Sequence, residues 1–233
     1  MNQSTLANRV VAVEWATVEG ARPRHAGGNA RLGEHGVTVR VPLARLTLDD
    51  GSSGFGHARA SLQDAQRILG RSLAELFLSG RGSTDLGRVF DFPLWDLVGK
   101  VRGEPVYNLI GGKSRDEISF YCTTPDPVAI KALGFWGAKV PLPHGPFDGE
   151  AGLRANLDFL AAHRAAVGPD FPLMVDCYMS LTVSYAIRLA EAARPLNIHW
   201  WEEVLSPEDD DGYRAIKAAH PTLTWTTAEH EYT

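Results

Sequence analysis

After Asp116 the sequence alternates between short apolar runs and longer amphipathic stretches. Short apolar runs are typical of strands buried on both faces, and the amphipathic stretches are typical of helices. The alternation predicts a parallel sheet with helical crossovers. The predicted strands are Ile118 to Cys122, Ala138 to Leu142, Leu173 to Cys177, His199 to Glu203 and Leu223 to Ala228, and the main predicted helices are Arg154 to Val167, Val183 to Arg194 and Asp211 to His220.

Acidic residues lie near the ends of three successive predicted strands. Asp176, Glu202 and Glu229 are separated by 26 and 27 residues, about one strand–helix unit each. In a (β/α) barrel the carboxyl ends of the strands meet at one rim, so the three carboxylates are expected to converge. Converging carboxylates repel each other unless a cation lies between them, and Mg²⁺ prefers oxygen ligands. We predict a Mg²⁺ site at these acids; the alternative is that they only cap the following helices.

The first hundred or so residues show an α+β pattern instead. Strands are predicted at Arg9 to Trp15, Val37 to Leu48 and Ser53 to Ala58, and together they indicate a three-stranded meander. The segment from Gly20 to Gly36 is rich in Gly and Arg without periodicity, so it is predicted to be a loop. Helices should follow, one starting after Ser61 and a longer one from Thr84 to about Val101, in which Pro93 is expected to introduce a kink.

The composition excludes several classes of protein. Lys and Arg total 23 against 28 Asp and Glu, the net charge is −5, and the signs are mixed along the chain. No basic stripe indicates a nucleic-acid partner, and no apolar run reaches the ~18 residues that a membrane span requires. With only two cysteines and no signal-peptide pattern, we expect a soluble, cytoplasmic protein with reduced thiols.

One segment carries a family resemblance. The stretch Phe92-Pro93-Leu94-Trp95-Asp96-Leu97-Val98-Gly99-Lys100, followed by Pro105-Val106-Tyr107 and Leu109-Ile110-Gly111-Gly112, resembles the connection between capping domain and barrel in the mandelate racemase branch of the enolase superfamily. The resemblance implies an α+β capping domain over residues 1–116. It further implies a partial (β/α) TIM-type barrel, with about five strands, over residues 117–233, and Asp176, Glu202 and Glu229 as the ligands of Mg²⁺.

The predicted second barrel strand departs from the family pattern. Lys139 takes the first position of the family's K-x-K element, but Pro141 takes the second, where many members carry a lysine base. The resemblance therefore implies that the main base comes from elsewhere, in strands expected beyond this sequence. Lys139 and His230 are the catalytic candidates in this chain, and Arg22, Arg24 and His25 are the candidates for contacting the substrate.

A narrower resemblance concerns the activity. The stretches from Lys139 to Gly152 and from Leu173 to Ser180, together with Glu229-His230, are similar to the L-rhamnonate dehydratases. This implies an acid-sugar dehydratase that removes an α-proton, eliminates the β-hydroxyl and forms a 2-keto-3-deoxy acid. The implied partner is a small acid sugar, and the longer parent protein is expected to form a homo-oligomer.

The length of the barrel portion leaves alternatives open. Only 117 residues follow Asp116, whereas a complete (β/α) barrel needs ~200–250. The sequence is therefore interpreted as a fragment that is inactive on its own. The alternatives are a truncated, non-catalytic protein of the same superfamily, or a racemase or cycloisomerase.

Overall fold

The structure is a computed structural model that describes residues 7–23, 27–34 and 36–231. The chain forms two compact units. The first contains the residues up to Ala21 and Thr38–Glu117, and the second contains Arg22–Val37 and Ile118–Thr233. The domain boundary that we placed after residue 116 stays a prediction.

The first unit is built on a three-stranded antiparallel sheet. Its strands are β1 (Val10–Ala21), β4 (Thr38–Leu48) and β5 (Ser53–His57), with β4 in the centre. The predicted meander is therefore confirmed, although β1 continues six residues past the predicted end at Trp15. It can continue because β4 is long enough to pair with it as far as Ala21.

Four helices follow in the same unit: α1 (Leu62–Ile68), α2 (Leu73–Leu76), α3 (Asp91–Arg102) and α4 (Val106–Leu109), with the short strands β6 (Phe77–Leu78) and β7 (Gly82–Ser83) between α2 and α3. The predicted helix start at Thr84 is wrong, because α3 begins at Asp91 after a 3-10 turn. Pro93 consequently lies in the first turn of α3, where a missing N–H costs no helical hydrogen bond.

Glycine lets α3 approach the sheet closely. A Cβ atom at Gly54 of β5 would lie 2.4 Å from the backbone nitrogen of Leu97. The close approach buries one apolar cluster between helices and sheet, which includes Leu46, Leu48, Ile68, Leu73, Phe90, Leu94 and Leu97.

The second unit contains the predicted parallel sheet. Its strands are β8 (Tyr121–Thr123), β9 (Gly137–Pro141), β10 (Leu173–Asp176), β11 (Trp201–Glu202) and β12 (Trp225–Thr226), and they are adjacent in sequence order. All four strand pairs are parallel. The crossovers are α5 (Pro127–Ala132), α6 (Gly149–Val167), α7 (Val183–Ala192) and α8 (Asp210–Ala219). The predicted fold class, an α+β capping domain followed by a partial (β/α) barrel, is confirmed.

A small hairpin in the second unit corrects the prediction of an irregular loop from Gly20 to Gly36. Strands β2 (Gly28–Asn29) and β3 (Gly33–Glu34) pair with each other. The buried Asn29 closes the turn, because its Oδ1 accepts hydrogen bonds from the backbone N–H groups of Arg31 and Leu32. The backbone N–H of Ala30 donates to the carbonyl of Leu142, directly after β9, at 3.2 Å. The hairpin is therefore attached to the rim where β9 ends.

None of the described helices is both long and apolar enough to cross a membrane. The apolar side of α6 and α7 instead packs on the parallel sheet, and the cluster includes Val140, Leu160, Leu173, Val175, Leu189, Trp201 and Ile216.

One buried arginine on α6 ties two connections of the barrel together. The guanidinium of Arg164 donates to five backbone carbonyls, those of Gly168, Pro169, Phe171, Leu196 and Asn197. The first three precede β10 and the other two precede β11. Burial lowers the pKa of Arg164, but an arginine remains charged at any physiological pH.

We predict that Arg164→Ala lowers the free energy of unfolding by ~2–4 kcal/mol, because several buried carbonyls lose a charged donor. Arg154→Ala is the matched control, since Arg154 is exposed on the same helix. Urea denaturation followed by circular dichroism measures both variants. Equal denaturation midpoints for the two variants would contradict the role of Arg164.

Candidate metal centre and active site

The carboxyl ends of β9, β10 and β11 bring three of the predicted residues together. Asp176 is the last residue of β10 and Glu202 is the last residue of β11, and the two are paired in register. Lys139 lies on the neighbouring strand β9. The register aligns Asp176 with Glu202 and with Pro141, and Lys139 lies two residues before Pro141 on β9, close enough for its long side chain to reach both acids.

Lys139 forms ion pairs with both acids. Its Nζ lies 2.9 Å from Oδ2 of Asp176 and also bonds to Oε1 of Glu202. The side chains are only 7%, 15% and 13% exposed, respectively. Burial by itself would lower the pKa of Lys139, but the hydrogen bond to Glu202 and the charge of Asp176 outweigh it and raise the pKa above its usual value. The ammonium group therefore stays charged and neutralises part of the acid pair.

The remaining oxygens of the two carboxylates also have donors. Oδ1 of Asp176 accepts the backbone N–H of Tyr178 at 3.1 Å. Oε2 of Glu202 accepts the indole N–H of Trp200 at 2.9 Å, and the Trp200 ring packs edge-on against Tyr121. All four oxygens are thus oriented by the protein.

Glu203, next to Glu202, is a buried acid to which the sequence patterns assigned no role. Its side chain is 1% exposed. One carboxylate oxygen accepts the backbone N–H of Glu229 at 3.1 Å, and the other lies 2.6 Å from Nδ1 of His230. The signal was present in the sequence, because adjacent residues at a strand end point in different directions and two adjacent acids therefore have different partners.

The third predicted ligand, Glu229, lies in the loop after β12, and its side chain is exposed. It lines a cavity of about 240 Å³ that Glu202 and Glu203 also line. Across residues 7–23, 27–34 and 36–231, no group of three or more His, Cys, Asp and Glu side chains is arranged to hold a metal ion. The structure thus joins Asp176 and Glu202 through Lys139, while the assignment of all three acids as ligands stays a prediction.

The backbone is strained beside each of the three acids. Tyr178 and Met179 after Asp176, Glu203 after Glu202 and Ala228 before Glu229 all have positive φ angles, between 46° and 82°. Such conformations cost of order 1–3 kcal/mol in residues other than glycine and are found mainly at functional sites. The strain therefore agrees with a functional role for this end of the sheet.

The other predicted site residues are distributed as follows. His230 is paired with Glu203 and also packs edge-on against Tyr178, with ring centres 5.1 Å apart. Arg22 is exposed, and its backbone N–H bonds to the carbonyl of Val37. Arg24 and His25 lie outside the described residues. Their roles in substrate binding, like that of Arg22, stay predictions.

Pro141 is the last residue of β9 and takes the place of the lysine base implied by the family resemblance. In this structure Pro141 has a packing role. Pro141 is buried, and a Cβ atom at Gly27 would lie 3.1 Å from its Cγ. Gly27 has a φ of +84°, a conformation that glycine adopts without strain. Gly27, the residue directly before the β2–β3 hairpin, therefore packs against Pro141.

The donor set suits a hard divalent cation. Asp176 and Glu202 offer oriented oxygen atoms at a nearly buried site, and a positive charge already lies between them. Mg²⁺ prefers oxygen ligands and usually binds through one or two carboxylates together with water. These two residues would hold the ion, and Glu229 would join them from the cavity that it shares with Glu202.

Comparisons with known proteins support the same interpretation. The enolase C-terminal domain-like family model matches residues 128–233. The L-rhamnonate dehydratase of Saccharopolyspora erythraea is 45% identical over 177 residues, which cover 75% of this chain and 45% of that protein.

Two solved structures are also similar. The L-rhamnonate dehydratase of Gibberella zeae is 40% identical with a TM-score of 0.78, and the match covers 97% of this chain and 66% of that one. A rhamnonate dehydratase from the same organism, solved in complex with Mg, is 37% identical with a TM-score of 0.76, and the match covers 97% and 67%. The chain thus spans between about half and two thirds of the length of these relatives.

We predict that Lys139→Met lowers the free energy of unfolding by ~3–5 kcal/mol, because the mutation leaves two nearly buried carboxylates without their cation. Arg188→Met is the control, since the Arg188–Glu150 ion pair is more than half exposed and exposed pairs contribute only ~0–1 kcal/mol. Urea denaturation at low Mg²⁺ measures both. Similar losses in the two variants would show that the ion pairs of Lys139 do not stabilise the sheet.

Proposed function

The chain belongs to the enolase superfamily, and on that premise we propose that it is the capping-domain and partial-barrel portion of a Mg²⁺-dependent acid-sugar dehydratase. The proposed reaction removes the α-proton of an acid sugar and then eliminates the β-hydroxyl to form a 2-keto-3-deoxy acid. The observation that carries the proposal is the arrangement of Asp176 and Glu202 around Lys139 at the strand ends. The 40% and 45% identities to L-rhamnonate dehydratases support L-rhamnonate as the first substrate to test.

We propose that Asp176, Glu202 and Glu229 hold Mg²⁺. When bound, the ion would stabilise the negative charge that develops on the substrate carboxylate as the α-proton leaves. The protein orients the oxygens of Asp176 and Glu202 in advance through their hydrogen bonds. When the ion binds, Lys139 would give up a contact with at least one of these acids, and the exposed Glu229 would turn toward the ion.

Lys139 has two proposed tasks. It balances the charge of Asp176 and Glu202, and its ammonium group attracts the carboxylate of the substrate. It is a poor candidate for the base, because its pKa is raised and a charged ammonium cannot accept a proton. Pro141 offers no side-chain base. We therefore assign the main base to a residue outside this chain.

His230 is the proposed partner of the departing hydroxyl group. Its Nδ1 is engaged by Glu203, so its Nε2 is the nitrogen left for the substrate. Arg22, Arg24 and His25 are proposed to contact the sugar hydroxyls, each of which needs a polar partner when it is buried. A cytoplasmic location and a homo-oligomeric parent also remain proposals.

The test is an activity assay of a longer protein that contains this segment. We expect turnover of L-rhamnonate or a related acid sugar to a 2-keto-3-deoxy acid, dependent on Mg²⁺. Glu202→Gln should lower kcat/KM by at least ~10²-fold, because it removes an electrostatic contribution to the transition state. Glu208→Gln, in an exposed position of the following loop, should leave the activity unchanged.

Two further measurements sharpen this assay. Racemisation of mandelate is measured by polarimetry, because a racemase is the alternative function. A two-base racemase needs a proton acceptor on each face of the α-carbon. Racemisation of mandelate without activity on any acid sugar would refute the proposal. The 233-residue chain is assayed beside the longer protein, and we expect no turnover because it lacks the main base. Turnover at an ordinary enzymatic rate by the short chain would identify Lys139 or His230 as the base.

A further inference from the structure

Glu203 is a buried acid that the proposed metal site does not use. It cannot be explained as a helix cap, because its carboxylate oxygens are directed to the backbone N–H of Glu229 and to the imidazole of His230. Burial of a charged group is costly unless each charge finds a partner. The Glu203 carboxylate is only 1% exposed, and one of its oxygens bonds to His230. A role for Glu203 should therefore involve His230.

We infer that Glu203 is the positioning residue of His230 and fixes which ring nitrogen faces the substrate. An ionised carboxylate can only accept hydrogen bonds, so Nδ1 of His230 must carry the proton in their 2.6 Å contact. In the neutral imidazole, Nε2 then holds the lone pair, so Nε2 is the nitrogen that takes up a proton from solvent and passes it to the departing hydroxyl, which leaves as water while the Nδ1–H stays hydrogen-bonded to Glu203. The catalytic part of this inference rests on the proposed function, whereas the choice of tautomer does not.

The ring of His230 is restrained from a second side. The Tyr178 ring meets it edge-on, at an angle of 86° and with ring centres 5.1 Å apart. The His230 side chain keeps 22% of its surface exposed, so these neighbours do not enclose it completely. Glu203 and Tyr178 therefore fix the orientation of the ring without closing access to it.

Glu203 is itself held firmly by its backbone. Its N–H donates to the carbonyl of Thr226 on β12 at 2.9 Å, and its carbonyl accepts the N–H of Met179 after β10. Its φ angle of 46° is strained for a residue with a side chain. The surrounding strands hold this conformation, and with it the direction of the carboxylate. One residue thereby connects the ends of β10 and β12 and aligns His230.

The first experiment measures the tautomer of His230 in the 233-residue chain. Two-bond ¹H–¹⁵N correlation spectra of ¹⁵N-histidine-labelled protein distinguish the two neutral forms, and His230→Asn assigns the signal among the eight histidines. We expect the wild-type ring to be protonated at Nδ1. In Glu203→Gln the amide oxygen can still accept the backbone N–H of Glu229, but the amide NH₂ group now donates to Nδ1 of His230. The population of neutral His230 should therefore shift to the tautomer protonated at Nε2.

The matched control is Glu208→Gln, which removes an exposed acid and should leave the spectrum of His230 unchanged. A wild-type ring protonated at Nε2, or identical spectra in wild type and Glu203→Gln, would overturn the inference. If the Gln variant does not fold, the wild-type tautomer alone decides, since an Nε2-protonated ring is incompatible with the proposed contact.

The second experiment measures kinetics in the longer protein. General acid–base groups contribute typically ~10²–10⁴-fold, so Glu203→Gln should lower kcat by ~10²-fold or more and change KM only a few-fold. Combined with His230→Asn, it should cause no additional loss, because both changes disable the same group. Additive losses would show that Glu203 acts independently of His230. If the longer protein is inactive on acid sugars while its His230 ring is protonated at Nδ1, the proposed function is refuted. The positioning of His230 by Glu203 would still hold.

Discussion

The carboxyl end of the parallel sheet depends on one buried ammonium group. Lys139 of β9 lies between Asp176 of β10 and Glu202 of β11, and its charge permits two carboxylates to remain close together at a nearly buried site. Without a cation the acids would repel each other, and burial would add to the cost. The same acids are the proposed ligands of Mg²⁺, so the charge balance that stabilises the sheet also prepares the metal site.

Glu203 extends this connection to the next strand. Lys139 joins the ends of β9, β10 and β11, and Glu203 joins β11 to the segment that follows β12 by binding Glu229 and His230. Adjacent acids in the sequence thus have separate partners: Glu202 bonds to Lys139, and Glu203 bonds to His230. Positive φ angles beside each acid show that the chain accepts local strain to keep these side chains in place.

The sequence predicted the parallel sheet well, because short apolar runs separated by amphipathic helices have few alternative folds. Strand periodicity also predicted the pairing of Asp176 with Glu202, since both end adjacent strands. It could not predict that Lys139 would pair with both acids, which depends on side-chain geometry across three strands. The β2–β3 hairpin was missed because its turn depends on the Asn29 side chain and on a contact with Leu142, far away in the sequence.

The central claim is that Asp176, Glu202 and Glu229 form one cation site at the strand ends. Crystals grown with Mn²⁺, which shares the preference of Mg²⁺ for oxygen ligands, test this directly through the anomalous signal of the metal. The account predicts one strong anomalous peak within coordination distance of oxygens from all three residues. It also predicts that Lys139 no longer contacts at least one of the two carboxylates. A metal bound elsewhere, with the contacts of Lys139 unchanged, would contradict it.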